Sequence, residues 1–186
     1  MLPLHAAGIY EGAHQECAAD FIVSSYTPSL SAIIKSREGF TPVPRKELRV
    51  LVFGESSAAG QLPIPNVAEE VQMVAGLVLS TSATVTNNID DVPTPRSVLD
   101  QLPAARILHL ACHGQQDSDP LRSRFVLRDG PLTISELMKI DLPNAMMAFL
   151  SACETARGDE EQPDQAVHLA ASMLFCGFRS VVATMW

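Results

Sequence analysis

Apolar residues along this chain cluster in short unbroken runs, separated by stretches in which they recur every three or four positions. The runs RVLVFG (49–54), RILHLACHG (106–114), AMMAFLSACET (145–155) and SVVATMW (180–186) have the length of strands buried on both faces. ATVTN (83–87) reads as a further, shorter strand. Between the runs, Val67, Val71, Val74 and Val78 form one apolar stripe behind Asn66, with Glu69 three residues on, which predicts a capped helix packed on the sheet. Thr94-Pro95 opens a short helix through Leu102, with proline where its missing N–H costs nothing. Asp164 to Phe175 is an almost wholly apolar helix closed by Gly177. Arg124 to Leu132 predicts a hairpin around Asp129-Gly130, and Thr133 with Glu136 makes a capping box for a helix through Ile140. Nearer the start, Asp20 to Tyr26 is strand-like, Pro28 to Lys35 reads as a short helix with proline in its first turn, and 40–48 reads as a linker.

Alternating strands and helices with short links predict an α/β fold, a mostly parallel sheet with helices on both faces. The chain has 186 residues and no composition shift, so one domain is expected. Hydrophobic residues at 47% and charged residues at 18% indicate an ordered protein, and a net charge of −8 argues against a nucleic-acid binder that works through a basic face. No run is long enough for a membrane span, and the first residues lack the basic and apolar regions of a signal peptide. Four scattered cysteines (Cys17, Cys112, Cys153, Cys176) suggest neither a disulfide framework nor a zinc site, which fits a reducing, cytoplasmic setting. The glycines of GESSAAGQLPIP (54–65) are not followed by the Lys-Ser/Thr of a phosphate-binding loop, so no cofactor is expected. The apolar opening from Met1 to Gly12 is unlike an ordinary frayed terminus and suggests that upstream sequence is missing.

Two of the buried runs end in residues that carry chemistry. The run from Arg106 closes on His113-Gly114, and the run from Ala145 closes on Ser151-Ala152-Cys153. Open parallel sheets place their active residues at the carboxyl edge, so adjacent strands would bring a base and a thiol together there. Gly114 lets a substrate carbonyl approach the backbone, and the amides of Gly114 and Cys153 are the candidates for an oxyanion hole. A buried free cysteine and a satisfied strand-end histidine are the plainer alternative. Cys112 points away from His113 and belongs to the core, Cys17 and Cys176 look structural, and His5, His14, His109 and His168 lack partner spacing. Acidic residues follow both candidates, Asp117 and Asp119 after the histidine and Glu154, Asp159, Glu160 and Glu161 after the cysteine. They make either a pocket for a basic substrate side chain, with Asp117 and Glu154 nearest, or a solvated loop.

At LPLHAAGIY, SSYTPSLSAI, HLACHG, LTISELM, LPNAMMAFLSACETA and DQAVHLAASMLFCGFRSVVATMW the sequence resembles the CHAT domain, and most closely the versions of filamentous fungi. That family is related in fold to caspases, metacaspases and separases. The resemblance implies a caspase-like αβα sandwich and a cysteine endopeptidase in which the family's histidine falls on His113 and its cysteine on Cys153. It implies a protein or peptide substrate, and the tetratricopeptide repeats or other modules of a larger protein as partners in signalling or defence, with no role for nucleic acid or membrane. Family members have sequence before LPLHAAG and after VVATMW, so a chain shortened at both ends is expected. A catalytically inactive module that acts in protein–protein interaction, through an unpaired strand edge at 181–186, is the alternative.

Overall fold

The computed structural model describes residues 6–11, 16–39, 41–79, 81, 84–87, 93–152 and 169–183. Cys153, Glu154 and the helix start expected at 164–168 lie outside the described residues, as do His5, His14 and 184–186.

A small antiparallel pair, β1 (Gly8–Ile9) and β2 (Glu16–Cys17), precedes α1 (Leu30–Arg37). The main sheet then begins with β3 (Arg49–Gly54), followed by α2 (Val67–Leu79), β4 (Thr84–Asn87), α3 (Pro95–Gln101) and β5 (Ile107–Gln115). A hairpin of β6 (Arg124–Leu127) and β7 (Gly130–Thr133) leads into α4 (Ile134–Leu137), and β8 (Met147–Ala152), α5 (Leu169–Phe175) and β9 (Ser180–Ala183) complete the order. Among the described residues, five strands lie parallel in the order β4-β3-β5-β8-β9, while β6 and β7 are antiparallel. The sheet is therefore mixed, with a parallel centre.

Alternation along the strands separates two layers. Leu51 and Phe53 of β3, Leu108, Leu110 and Cys112 of β5 and Ala148 and Leu150 of β8 face α3, α4 and α5 in the larger core. Val50 and Val52, with Ala111, face Val67 and Val71 of α2 on the other side. Both faces of β3 and β5 are thus buried, which is why their sequences read as unbroken apolar runs. The chain leaves β3 for β4 on one side and returns to β5 on the other, so the strand order reverses between β3 and β5. Loops diverge at such a point and leave a crevice at the carboxyl edge.

Several local expectations shift by a few residues or fail. Asp20 to Tyr26 forms no strand; a turn of 3-10 helix covers Ala18–Asp20, and the following segment is irregular. Val23 there is fully exposed, so β propensity has no edge to pair with. Pro28 stands outside α1, because Ser29 takes the cap and accepts the Ala32 amide at 3.2 Å. Asn66 does not cap α2 through its side chain in the usual way: its φ is 68°, outside the extended region of an N-cap, and its carbonyl accepts the Glu70 amide. The helix after Thr133 runs only to Leu137, and its continuation tightens into i→i+3 bonds before Pro143. The hairpin, the Thr133–Glu136 capping box and the positive φ of Gly177 (119°) stand as expected, and Thr94, at the expected helix start, adds a capping box with Ser97.

Candidate active site at the carboxyl edge

β5 outruns β3. Its pairing with β3 ends at Gly54↔Ala111, yet the strand continues through Gln115; its pairing with β8 runs to Cys112↔Ala152, the last described residue of β8. Where β3 stops, β6 takes its place, from His113↔Val126 to Gln115↔Arg124. The hairpin is anchored there by Arg128, whose guanidinium lies 3.3 Å from a carboxylate oxygen of Glu55 at the end of β3. Glu55 is only 1% exposed; it also accepts the Ser57 amide at 2.7 Å, and its own amide bonds the Ala111 carbonyl. This pair, a buried carboxylate and an exposed guanidinium, ties the hairpin to the start of the loop over α2.

His113 follows the period of β5 and shares a face with His109 and Ala111, toward α2 and the 55–66 loop. Its Nε2 lies 2.7 Å from the carbonyl oxygen of Leu62. A carbonyl only accepts, so Nε2 carries the proton and Nδ1 is left as the basic nitrogen. Gly114 is buried and stands opposite Phe125 in the ladder. Cys112 is fully buried in the larger core, on the face away from His113 as expected. Cys176 is buried as well, and burial pushes its thiol up to about 12. Ser151 and Ala152 end the described part of β8 one residue before Cys153.

Asp117 is occupied with its own loop. One carboxylate oxygen accepts the Asp119 amide at 3.0 Å, the other lies 3.8 Å from Arg122, and its amide bonds the Ser123 hydroxyl. The Asp119 amide, with Arg122 and Arg124 nearby, holds the Asp117 carboxyl below the usual range. Among the described residues no group of His, Cys, Asp and Glu could hold a metal ion. No helix among them is long and apolar enough to cross a membrane.

Sequence reasoning missed a polar cluster on the same face. His109, 5% exposed, puts Nε2 at 3.0 Å from Glu70 Oε1, close in distance but off the line of a good hydrogen bond. The other Glu70 oxygen accepts the Ser151 hydroxyl at 3.1 Å. The His109 ring stacks on Phe149 with centroids 5.1 Å apart. Burial lowers the His109 pKa, and the Glu70 carboxylate opposes that shift.

The fold and this edge define an α/β protein that holds a tautomer-fixed histidine at the carboxyl edge of a mixed sheet. The chain belongs to the CHAT domain family, whose profile matches residues 2–186. That family is related to caspase-like peptidases. No curated protein matches the chain closely enough to count as a relative.

Proposed function

We propose that the chain is a caspase-like cysteine endopeptidase domain, an αβα sandwich that hydrolyses peptide bonds through His113 and Cys153. The observation that carries the reading is the arrangement around His113. The Leu62 carbonyl fixes the proton on Nε2, so Nδ1 is the nitrogen available as base. The register also supports it: Cys112 and Ala152 are partners, and one further step along each strand reaches His113 and position 153. Adjacent strands are spaced by about 4.8 Å, close enough for a thiol and an imidazole on one face to meet.

In this reading the Cys153 thiol gives its proton to His113 Nδ1 and the thiolate attacks the substrate carbonyl carbon. The amides of Gly114 and Cys153 donate to the oxyanion. When the C–N bond breaks, His113 returns the proton to the leaving amine, and a thioester remains. Water, deprotonated by His113, then attacks the thioester, and the thiol is regenerated with release of the carboxylic acid. Asp117 already spends its oxygens on its loop, so recognition of a basic side chain falls mainly to Glu154. The partners in this reading are a protein or peptide substrate and the repeats or other modules of a larger fungal protein, in regulated cytoplasmic signalling or defence.

The test is cleavage of a diverse peptide library, read by mass spectrometry, for wild type and for Cys153→Ala with its fold checked by circular dichroism. Cleavage by wild type that is lost in the variant is the expected result. Equal cleavage by both proteins, or none by either, overturns the proposal; in the second case the interaction-module reading takes its place.

A further inference from the structure

The α2-facing side of the sheet is lined by valines and alanine around β3 and β5, yet three polar side chains interrupt it at one place. They come from three elements: Glu70 from α2, His109 from β5 and Ser151 from β8. One carboxylate spans two adjacent strands, with Oε1 against His109 and Oε2 against Ser151. His109 also stacks on Phe149, its register partner on β8. With His109 buried and Glu70 and Ser151 half-buried, polar contacts of this kind add little stability compared with packed apolar side chains, and their best-attested use is to hold a register. A slip of β8 by one residue would turn Ser151 to the other face and leave the carboxylate without its hydroxyl.

The placement of Glu70 is itself tightly constrained. α2 approaches β3 so closely that a Cβ on Gly54 would stand 2.6 Å from Val71 Cγ2 and 2.7 Å from Val67 Cγ1. Val67 and Val71 flank Glu70 in the same turn of helix, so the carboxylate is held over β5 and β8 by backbone packing and not by a flexible surface. Ser151 is two residues from Cys153, and His109 is four from His113 on the same face of one strand.

We infer that Glu70 is a positioning residue for the edge site: through His109 and Ser151 it fixes the end of β8 against β5, and so sets the thiol at Cys153 against the imidazole of His113. The inference rests on the dyad proposed above, and it assigns the register of that dyad to a brace contributed by α2. Glu70 touches no substrate in this account.

The test follows alkylation of Cys153 in the full chain by the small neutral electrophile chloroacetamide, resolved by peptide mass mapping. The proteins compared are wild type, His113→Ala, Glu70→Ala, Glu70→Gln, Ser151→Ala, and two controls. Glu69→Ala removes the neighbouring exposed carboxylate of α2, and Thr133→Ala destabilises the protein at α4, on the other face of the sheet, without touching the brace. Misplacement of a reacting group by even 1 Å costs up to about a hundredfold, so Glu70→Ala is expected to lower the His113-dependent rate by about tenfold or more. Ser151→Ala should lower it less. Glu70→Gln, which keeps one acceptor, should recover part of it. Glu69→Ala and Thr133→Ala should leave it unchanged below their melting temperatures. A rate that depends on His113 but not on Glu70 overturns this inference alone, as does an equal loss in Thr133→Ala. A wild-type rate indifferent to His113 overturns the dyad, and the positioning role with it.

Discussion

Gly54→Ala and Gly76→Ala make the same chemical change on the two sides of the β3–α2 contact, and the structure predicts opposite signs. At Gly54 the backbone has no positive φ, so the cost is one of space. The new Cβ would lie 2.6 Å from Val71 Cγ2 and 2.7 Å from Val67 Cγ1. Restoring an ordinary contact of 3.4 Å requires a retreat of about 0.8 Å, the kind of overpacking that costs about 1–3 kcal/mol. Escape by rotamer change is limited, because valine in a helix has one strongly preferred χ1. Both valines are buried, at 5% and 3% exposure, so neither can swing into solvent. At Gly76, within the exposed side of α2, a Cβ meets nothing within 4 Å. There alanine gains about 0.5–1 kcal/mol by removing the conformational cost of glycine in a helix. In a chain of this length 1 kcal/mol moves the melting temperature by about 2–4 °C. Thermal unfolding followed by circular dichroism should therefore show Gly54→Ala lower by several degrees and Gly76→Ala slightly higher. Gly54→Ala as stable as wild type would refute the close seating of α2, on which the placement of Glu70 depends.

Further expectations follow from other named contacts. Thr133→Ala removes the side-chain cap of α4, where the hydroxyl accepts the Glu136 amide at 3.2 Å, and should cost about 1 kcal/mol by urea denaturation; an unchanged midpoint would contradict the cap. Burial holds His109 below its ordinary value of 6.5, so in the window beneath 6.5 the unfolded chain binds more protons than the folded protein. Its stabilisation is complete above that value and is lost as pH falls toward the folded value. The urea midpoint should drop between about pH 7 and about pH 5.5, and His109→Gln should flatten that part of the slope; parallel wild-type and variant profiles would exclude the effect. Because burial raises the Cys176 thiol to about 12, it should resist alkylation at neutral pH while half-exposed Cys17 labels; prompt native labelling of Cys176 would refute its burial.

The parts of the fold legible in the sequence are those in which local pattern and tertiary burial agree. β3, β5 and β8 are buried on both faces, and their runs show it. The hairpin was readable from Asp129-Gly130, the start of α3 from Thr94-Pro95, and the capping box of α4 from Thr133 and Glu136. DFIVSSY misled because β-branched and aromatic residues raise strand propensity whether or not an edge is available, and Phe21, Ile22 and Val23 are exposed instead. At the edge, His113 could be singled out because it closes a buried apolar run. Its partner could not: Leu62 contributes a backbone carbonyl, which leaves no trace in residue type. Glu70 in the first turn of a helix reads as a solvated carboxylate suited to the helix dipole, and Ser151 lies 81 positions away. Only the register of β5 with β8 and the seating of α2 bring Glu70, His109 and Ser151 together. Asp117, read as a candidate for substrate, is drawn into an Asx-type turn by amides two residues on, a local use that its spacing from Asp119 permits.

The central claim is that His113 and Cys153 form one reactive pair at the carboxyl edge. Intact-mass labelling with a panel of peptide-like thiol electrophiles, comparing wild type, His113→Ala and Cys153→Ala, tests it most directly. The account predicts rapid incorporation of a single label at Cys153, slowed sharply in His113→Ala and absent in Cys153→Ala. Slow labelling spread over several cysteines and indifferent to His113 would contradict it.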